Sequence, residues 1–327
     1  MKLATLDNGT RDGQLLVVSR DGSRAVQPEG VARTMQDALE RWAEVAPQLT
    51  ALSDALNAGT AEGAMDLDQD RLLAPLPRSY QFIDGSAYLN HIELVRKARG
   101  AEMPESFRTD PLVYQGVSDQ FLPATADIEH ATTDWGIDFE AEIGVITDDV
   151  PYRTSTEQAG DHIKLLVLIN DVSLRALIPS ELAKGFGFLV SKPVSALSPF
   201  AITPDELGDS WRDGKVWLPL SVQWNGEWYG EPEAGPEMVF SFHQLIQHVT
   251  QTRPLGAGTL IGSGTVSNRD RAKGSCCVAE QRMIEKIDTG EFITPFMQFG
   301  DTVRIEMKKD GESLFGAIAQ RVVSSEG

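Results

Sequence analysis

Apolar and polar residues alternate with period 2 from Gly136 to Ile146. Phe139, Ala141, Ile143 and Val145 fall on one side and Glu140, Glu142 and Gly144 on the other, the signature of a β-strand with one apolar face. Val216, Leu218, Leu220, Val222 and Trp224 alternate again, and Asn225-Gly226 ahead of Trp228 predicts a tight hairpin turn. Leu165-Leu-Val-Leu-Ile169 is continuously apolar instead, the pattern of a strand covered on both faces. Val278 to Lys286 alternates weakly, and late strands are predicted after the Gly300-Asp301 turn and at Leu314–Ala319. Shorter strands are predicted at Lys2–Leu6, Gln14–Ser19, Ser23–Val26, Tyr80–Asp84 and Pro111–Gly116.

Helical spacing is rarer. Thr34 is placed to cap a helix carrying Met35, Ala38, Leu39, Trp42 and Val45, and Pro47 to start another through Leu49, Leu52 and Leu56. Further helical segments are predicted at Tyr88–Arg99, Thr156–Lys164, 172–183 and Phe242–Thr252. The Gly-rich stretch 256–266 lacks the Gly-Lys-Ser/Thr ending of a phosphate loop. The whole reads as α+β and β-rich, with a small α+β unit over 1–78 and a larger body of short strands, long loops and glycine turns over 79–327.

Composition narrows the function classes. The chain has 327 residues and a formal net charge of −19, which repels nucleic acid and anionic lipid. No apolar run approaches a membrane span, and the first residues lack the apolar region of a signal peptide, so a cytoplasmic protein is expected. The two cysteines, Cys276 and Cys277, are adjacent. Such a pair supports neither a disulfide framework nor a cysteine zinc site, and two reduced thiols are expected.

The candidate chemistry starts from Glu140 and Glu142. On a strand they project from the same face roughly 6.5–7 Å apart, and two carboxylates so placed repel unless a cation lies between them. A solvated edge-strand face is the plainer alternative. Asp84 and Asp171 end two other predicted strands and would complete an all-oxygen site, which selects Mg²⁺, Ca²⁺ or Mn²⁺ over zinc. His91 follows Asp84 by seven residues and is of the residue type most often used as a general base. His130, His162, His243 and His248 have no such neighbourhood. Arg175 and Lys192 follow Asp171; each taken alone is a surface cation.

Together, Asp84-x₆-His91, Glu140-x-Glu142, Asn170-Asp171-x₃-Arg175 and Lys192, with the later Gly264-Thr265 and Glu280, resemble the fumarylacetoacetate hydrolase superfamily over roughly residues 80 to 323. The first unit resembles the small extra domain of many bacterial members. The resemblance implies a mixed β-sandwich roll, a homodimer, and Asp84, Glu140, Glu142 and Asp171 as ligands of Mg²⁺ or Ca²⁺, with Mn²⁺ an alternative. It makes His91 the base, oriented by Glu280, with Arg175 and Lys192 assisting catalysis, and puts Arg175, Lys192, Tyr114 and Thr265 around the substrate. It departs from the eukaryotic enzymes at Ile178, Ser86 and Gln115-Gly116-Val117, positions that bear on the substrate pocket.

The function so implied is metal-dependent hydrolysis of a carbon–carbon bond in a β-diketo acid, as in aromatic (tyrosine) breakdown. Fumarylacetoacetate is the first substrate expected and acylpyruvates such as fumarylpyruvate the next. Decarboxylation or tautomerisation of a β-keto acid such as oxaloacetate on the same site is the rival. A non-catalytic Ca²⁺ protein has no use for His91 and Lys192, and a two-metal phosphatase would want more histidine ligands.

Overall fold

An unbroken apolar run such as Leu165–Ile169 must be covered on both sides, and every residue of it is buried within the strand Ile163–Asn170. In the computed structural model, which describes residues 1–98 and 102–325, this strand lies inside a 12-stranded mixed sheet. The central path runs Lys2–Leu6, Ala201–Ile202, Ile163–Asn170, Ala141–Thr147, Leu260–Gly262, Phe82–Gly85, Val113–Gly116. Leu166 and Leu168 enter one core with Ile143, Val145 and Ile261. Leu165, Val167 and Ile169 enter a second core with Leu3, Leu15, Met35, Leu39 and Leu49.

That second core changes the picture of residues 1–78. They form strands Lys2–Leu6, Gln14–Val18 and Arg24–Val26 and helices Met35–Glu40 and Trp42–Asn57. Thr34 caps the first helix as expected, its hydroxyl accepting from the Asp37 amide at 3.1 Å. Lys2–Leu6 pairs with Ala201–Ile202, so the first segment extends the sheet of the second, and its helices supply the cover that Leu165, Val167 and Ile169 need. The change at residue 78 divides the chain but not the hydrophobic core.

A five-stranded sheet completes the β-rich α+β fold, in the order Glu227–Gly230, Ser221–Trp224, Thr302–Lys309, Glu312–Ser324, Ile128–His130. Its hairpin turns at Asn225 and Gly226 with positive φ at both (53° and 80°), as a two-residue turn of this hand demands. Among the described residues no helix is long and apolar enough to cross a membrane.

Several elements differ from expectation. The first helix breaks at Arg41, and Pro47 lies inside the helix Trp42–Asn57 instead of starting it. Arg41 fastens the break, its guanidinium donating to Asp37, Glu44 and the Val31 carbonyl. Residues 156–164 hold only a short helix, Thr156–Ala159, and a 3₁₀ turn before the strand starts at Ile163. Residues 172–183 are divided between a two-residue strand, Ser173–Leu174, and a helix, Ile178–Leu182. The helix expected at Tyr88–Arg99 is found as Leu89–Ala98, Arg99 lying outside the described residues.

The largest difference is Val278–Thr289, a helix where weak alternation pointed to extended chain. Cys277 caps its start, Gly290 ends it in the left-handed conformation, and its interior is rich in good helix formers.

A core built from both segments predicts one cooperative unit. Leu49→Ala, which empties a fully buried position, is expected to cost about 2–5 kcal/mol and to shift a single denaturation transition seen alike by circular dichroism and tryptophan fluorescence. Two separated transitions, only one of them moved, would contradict the continuous sheet.

Candidate active site

The sheet topology brings the acidic residues together. Ala141–Thr147 and Ile163–Asn170 are antiparallel, with Ala141 opposite Asn170. Glu140 and Glu142, at the start of one strand, therefore meet Asp171, just past the end of the next. Asp84 lies opposite Gly262 in the parallel pair and opposite Tyr114 in the antiparallel one. Close approach here requires missing side chains. A Cβ at Gly262 would meet Asp84 Oδ1 at 2.2 Å and Glu142 Oε2 at 3.1 Å. Gly264 has φ +77°, and a Cβ there would meet the Gly85 carbonyl oxygen at 2.3 Å.

Asp84, Glu142 and Asp171 each place a carboxylate oxygen within 4.8 Å of the others, and all three are buried. Tyr114 Oη donates to Asp171 Oδ2 at 2.6 Å, Ser195 Oγ donates to Oδ1 at 2.7 Å, and the Gly264 amide donates to Asp84 Oδ1 at 3.1 Å. Among the described residues no group other than an acid pairs with Glu142: both its oxygens are buried, and its side-chain neighbour is Asp84. Burial first, then the charges of Asp84, Asp171 and Glu140, push the Glu142 carboxyl well above the usual range. Burial and the Asp171 charge push Asp84 up to about 8. An unpaired buried carboxylate is costly, and three oxygens crowding one point make a seat for a hard divalent cation. The donor set and the orphaned Glu142 oxygens fit such an ion; the oxygens alone do not choose among Mg²⁺, Ca²⁺ and Mn²⁺.

Glu140 stands beside this group with both oxygens already on cations. Arg175 donates to Oε1 at 2.6 Å and Lys192 Nζ to Oε2 at 2.5 Å. Burial pushes Glu140 up, but Arg175 and Lys192 together outweigh it and hold the carboxyl well below its ordinary value. Lys192 Nζ also donates to Asp171 Oδ2 at 2.5 Å, so it ties Glu140 to the triad. Burial pulls the Lys192 ammonium down, yet Asp171 and Glu140 prevail and keep it protonated.

Arg175 reaches further, its Nε donating to Asp138 Oδ2 at 2.8 Å. Asp138 is fully buried and also accepts from the Val278 and Ala279 amides at 2.7 and 2.9 Å, at the start of the helix that carries Glu280. It is not among the site residues expected from the sequence, although it continues the same-face series Asp138, Glu140, Glu142.

Glu280 projects from the first turn of that helix. His91, on the helix Leu89–Ala98, places Nδ1 3.3 Å from Glu280 Oε2, and Ser267 Oγ donates to Glu280 Oε1 at 3.0 Å. Cys277 Sγ accepts from the Glu280 amide at 3.4 Å and lies 3.9 Å from His91 Nδ1, a proximity that no local sequence pattern signals. Both cysteines are buried free thiols.

A cavity of about 490 Å³ joins these parts. Asp84, Glu140, Glu142, His91, Tyr114, Arg175, Lys192 and Thr265 all line it; Asp171 and Glu280 act on it from behind. Among its described lining residues none comes from 1–78, and none of the other four histidines is present. The carboxylate end is buried, whereas Leu182 and Phe292 are 45% and 46% exposed and form the rim.

Comparison with known proteins places the chain in a family. Residues 81–323 match the family described as fumarylacetoacetate (FAA) hydrolase C-terminal, and residues 1–78 match fumarylacetoacetase N-terminal domain 2. The oxaloacetate tautomerase YisK of Bacillus subtilis is 27% identical over 204 residues, 62% of this chain and 64% of that protein. The alignment therefore spans less than two thirds of that relative's length. Among solved structures, a putative HpcE protein from Mycobacterium smegmatis superposes with a TM-score of 0.70 at 20% identity, covering 99% of this chain and 100% of the other. A maleylpyruvate hydrolase from Sphingobium sp. SYK-6, in complex with manganese(II) and pyruvate, superposes with a TM-score of 0.66 at 15% identity, covering 99% of each chain.

The raised Asp84 carboxyl gives a signed pH prediction. A group protonated in the folded state but ionised in the unfolded one favours folding fully below about pH 4, and the contribution is lost as pH rises to about 8. In EDTA, Tm should fall from pH 5 to 8, and saturating Mg²⁺ or Mn²⁺ should flatten the fall. Calorimetry at pH 7 in buffers of different ionisation enthalpy should show protons released on ion binding; uptake, or no proton, would contradict the triad. Gly262→Ala should abolish ion binding in protein that still refolds, because its Cβ occupies the space Asp84 and Glu142 share.

Proposed function

The chain belongs to the fumarylacetoacetate hydrolase family, and on that premise we propose that it hydrolyses a carbon–carbon bond in a β-diketo acid. Fumarylacetoacetate is the first candidate substrate and acylpyruvates are the next. The observation that carries this reading is the His91–Glu280 contact in the same cavity as the carboxylate triad.

A hard divalent cation held by Asp84, Glu142 and Asp171, with Glu140 alongside, would supply Lewis-acid polarisation of the dicarbonyl. The side chains do the rest. Glu280 faces His91 Nδ1 and leaves Nε2 to take a proton from water, whose oxygen attacks the carbonyl carbon. Lys192 has two of its three donors on carboxylates and one left for the oxyanion that forms. The oxyanion collapses to a carboxylic acid as the carbon–carbon bond breaks. The electron pair of that bond passes into an enolate, which takes a proton at carbon. Tyr114 and Ser195 hold Asp171 in place by donating to its two oxygens.

The activity named for the Bacillus subtilis relative, oxaloacetate tautomerisation, would use the same acidic site. A cavity of about 490 Å³ walled by Phe188, Phe292 and Phe296 favours a longer acid than a four-carbon one.

A panel of β-diketo acids with and without EDTA tests the proposal. Consumption that needs the ion is expected. His91→Ala should lower kcat about 10²- to 10⁴-fold while Mn²⁺ binding persists. Enol–keto exchange of oxaloacetate with no diketo acid consumed would replace hydrolysis by tautomerisation, and loss of ion binding in His91→Ala would assign His91 a different role.

A further inference from the structure

The buried end of the cavity is short of positive charge. Five carboxylates (Asp84, Asp138, Glu140, Glu142 and Asp171) face two cations there, and both cations are engaged. Arg175 donates to Asp138 and Glu140, and Lys192 to Glu140 and Asp171. Even with a divalent ion in place, that end has, among the described residues, no cation free of a carboxylate to neutralise a second negative charge on a substrate.

Among the described residues the cavity has one further arginine, Arg282. It lies on the helix Val278–Thr289, and Ala279, Arg282 and Met283, at i, i+3 and i+4, share the face that lines the cavity. Its guanidinium sits 4.3 Å from the Phe296 ring centroid and 4.8 Å from that of Phe292. One NH1 donor goes to the Thr294 carbonyl. Among the described residues Arg282 has no carboxylate within ion-pair distance, unlike Arg175. A guanidinium has five N–H donors in a planar fork suited to a carboxylate. Contact with both rings restricts the guanidinium and covers part of it from water, which strengthens a charged hydrogen bond made there.

We propose that Arg282 binds a second carboxylate, at the end of the substrate remote from its dicarbonyl. This rests on the reading of the cavity as a diketo-acid site and adds to it the residue that holds the far carboxylate, with Phe188, Phe292 and Phe296 lining the same cavity. Arg282 is then a specificity residue; it touches the far end of the substrate and no reacting atom.

Two ligands with one carbon skeleton test this. Fumarate and crotonate differ only in a terminal carboxylate against a methyl group. Calorimetric titration of the full chain in saturating Mg²⁺ should show fumarate bound about 10- to 100-fold more tightly, the weight of a charged hydrogen-bonded pair. Arg282→Met should bring that ratio close to 1, and Arg282→Lys, which keeps charge but not the fork, should leave an intermediate ratio. Thermal melts of both variants verify folding, and either suffices for the comparison. Equal binding of the two ligands by the native chain, no binding of either, or a ratio that Arg282→Met leaves unchanged would overturn the assignment.

A kinetic arm separates the two levels of inference, using a 2,4-diketo acid that ends in a carboxylate and its methyl-ended analogue. Fumarate preference without cleavage of either diketo acid leaves Arg282 in place and sinks the hydrolase reading. Cleavage of both at equal kcat/KM leaves the hydrolase reading and sinks Arg282 as the diacid site.

Discussion

Glu142 is the constraint on which the rest depends. Among the described residues its two oxygens are buried with no partner other than an acid, beside two more acidic side chains. A protein does not gain stability from such a group; it tolerates one where a cation or a proton is to be held. Much of the surrounding structure serves that tolerance. Gly262 removes the side chain that would separate Asp84 from Glu142, Gly264 lets the loop pass against Gly85, and Tyr114 and Ser195 satisfy Asp171. The antiparallel pair 141–147 and 163–170 brings the acids together in the first place. That pair is rigid because it is covered on both sides, by the roll on one and by the first 78 residues on the other.

A second chain of contacts leads from the carboxylates to the base. Glu140 holds Arg175, Arg175 holds Asp138, and Asp138 accepts from two amides that open the helix bearing Glu280. Glu280 in turn faces His91. The spacing between ion site and base is therefore fixed by buried, charge-assisted hydrogen bonds and not by flexible loops. The same helix carries Arg282 one turn beyond Ala279, so a single element sets both the orientation of His91 and the cation near the rim.

The sequence made some of this legible and hid the rest. Strand alternation placed Glu140 and Glu142 on one face, and the unbroken apolar run at Leu165–Ile169 announced a strand buried on both sides, because each is a local pattern. The division of labour between the two glutamates was not local. Glu140 is claimed by Arg175 and Lys192, whose partners are fixed only when distant segments meet. Asp138 belonged to the visible alternation and was passed over. The helix Val278–Thr289 was missed because its first residues mimic alternation while its cap, Cys277, is an unusual capping residue. Its face toward the cavity, and with it Arg282, went unseen for the same reason. The covering role of the N-terminal helices needed the two-residue bridge at Ala201–Ile202, too short to read from a pattern.

The central claim is that Asp84, Glu142 and Asp171 are assembled to hold one hard divalent ion. Titration of the metal-free chain with Mn²⁺, followed by electron paramagnetic resonance, tests it most directly. The account predicts one tightly held ion per chain, competed by Mg²⁺ and lost in a folded Glu142→Gln variant. Absence of binding in the native chain, or binding that Glu142→Gln leaves intact, would contradict it.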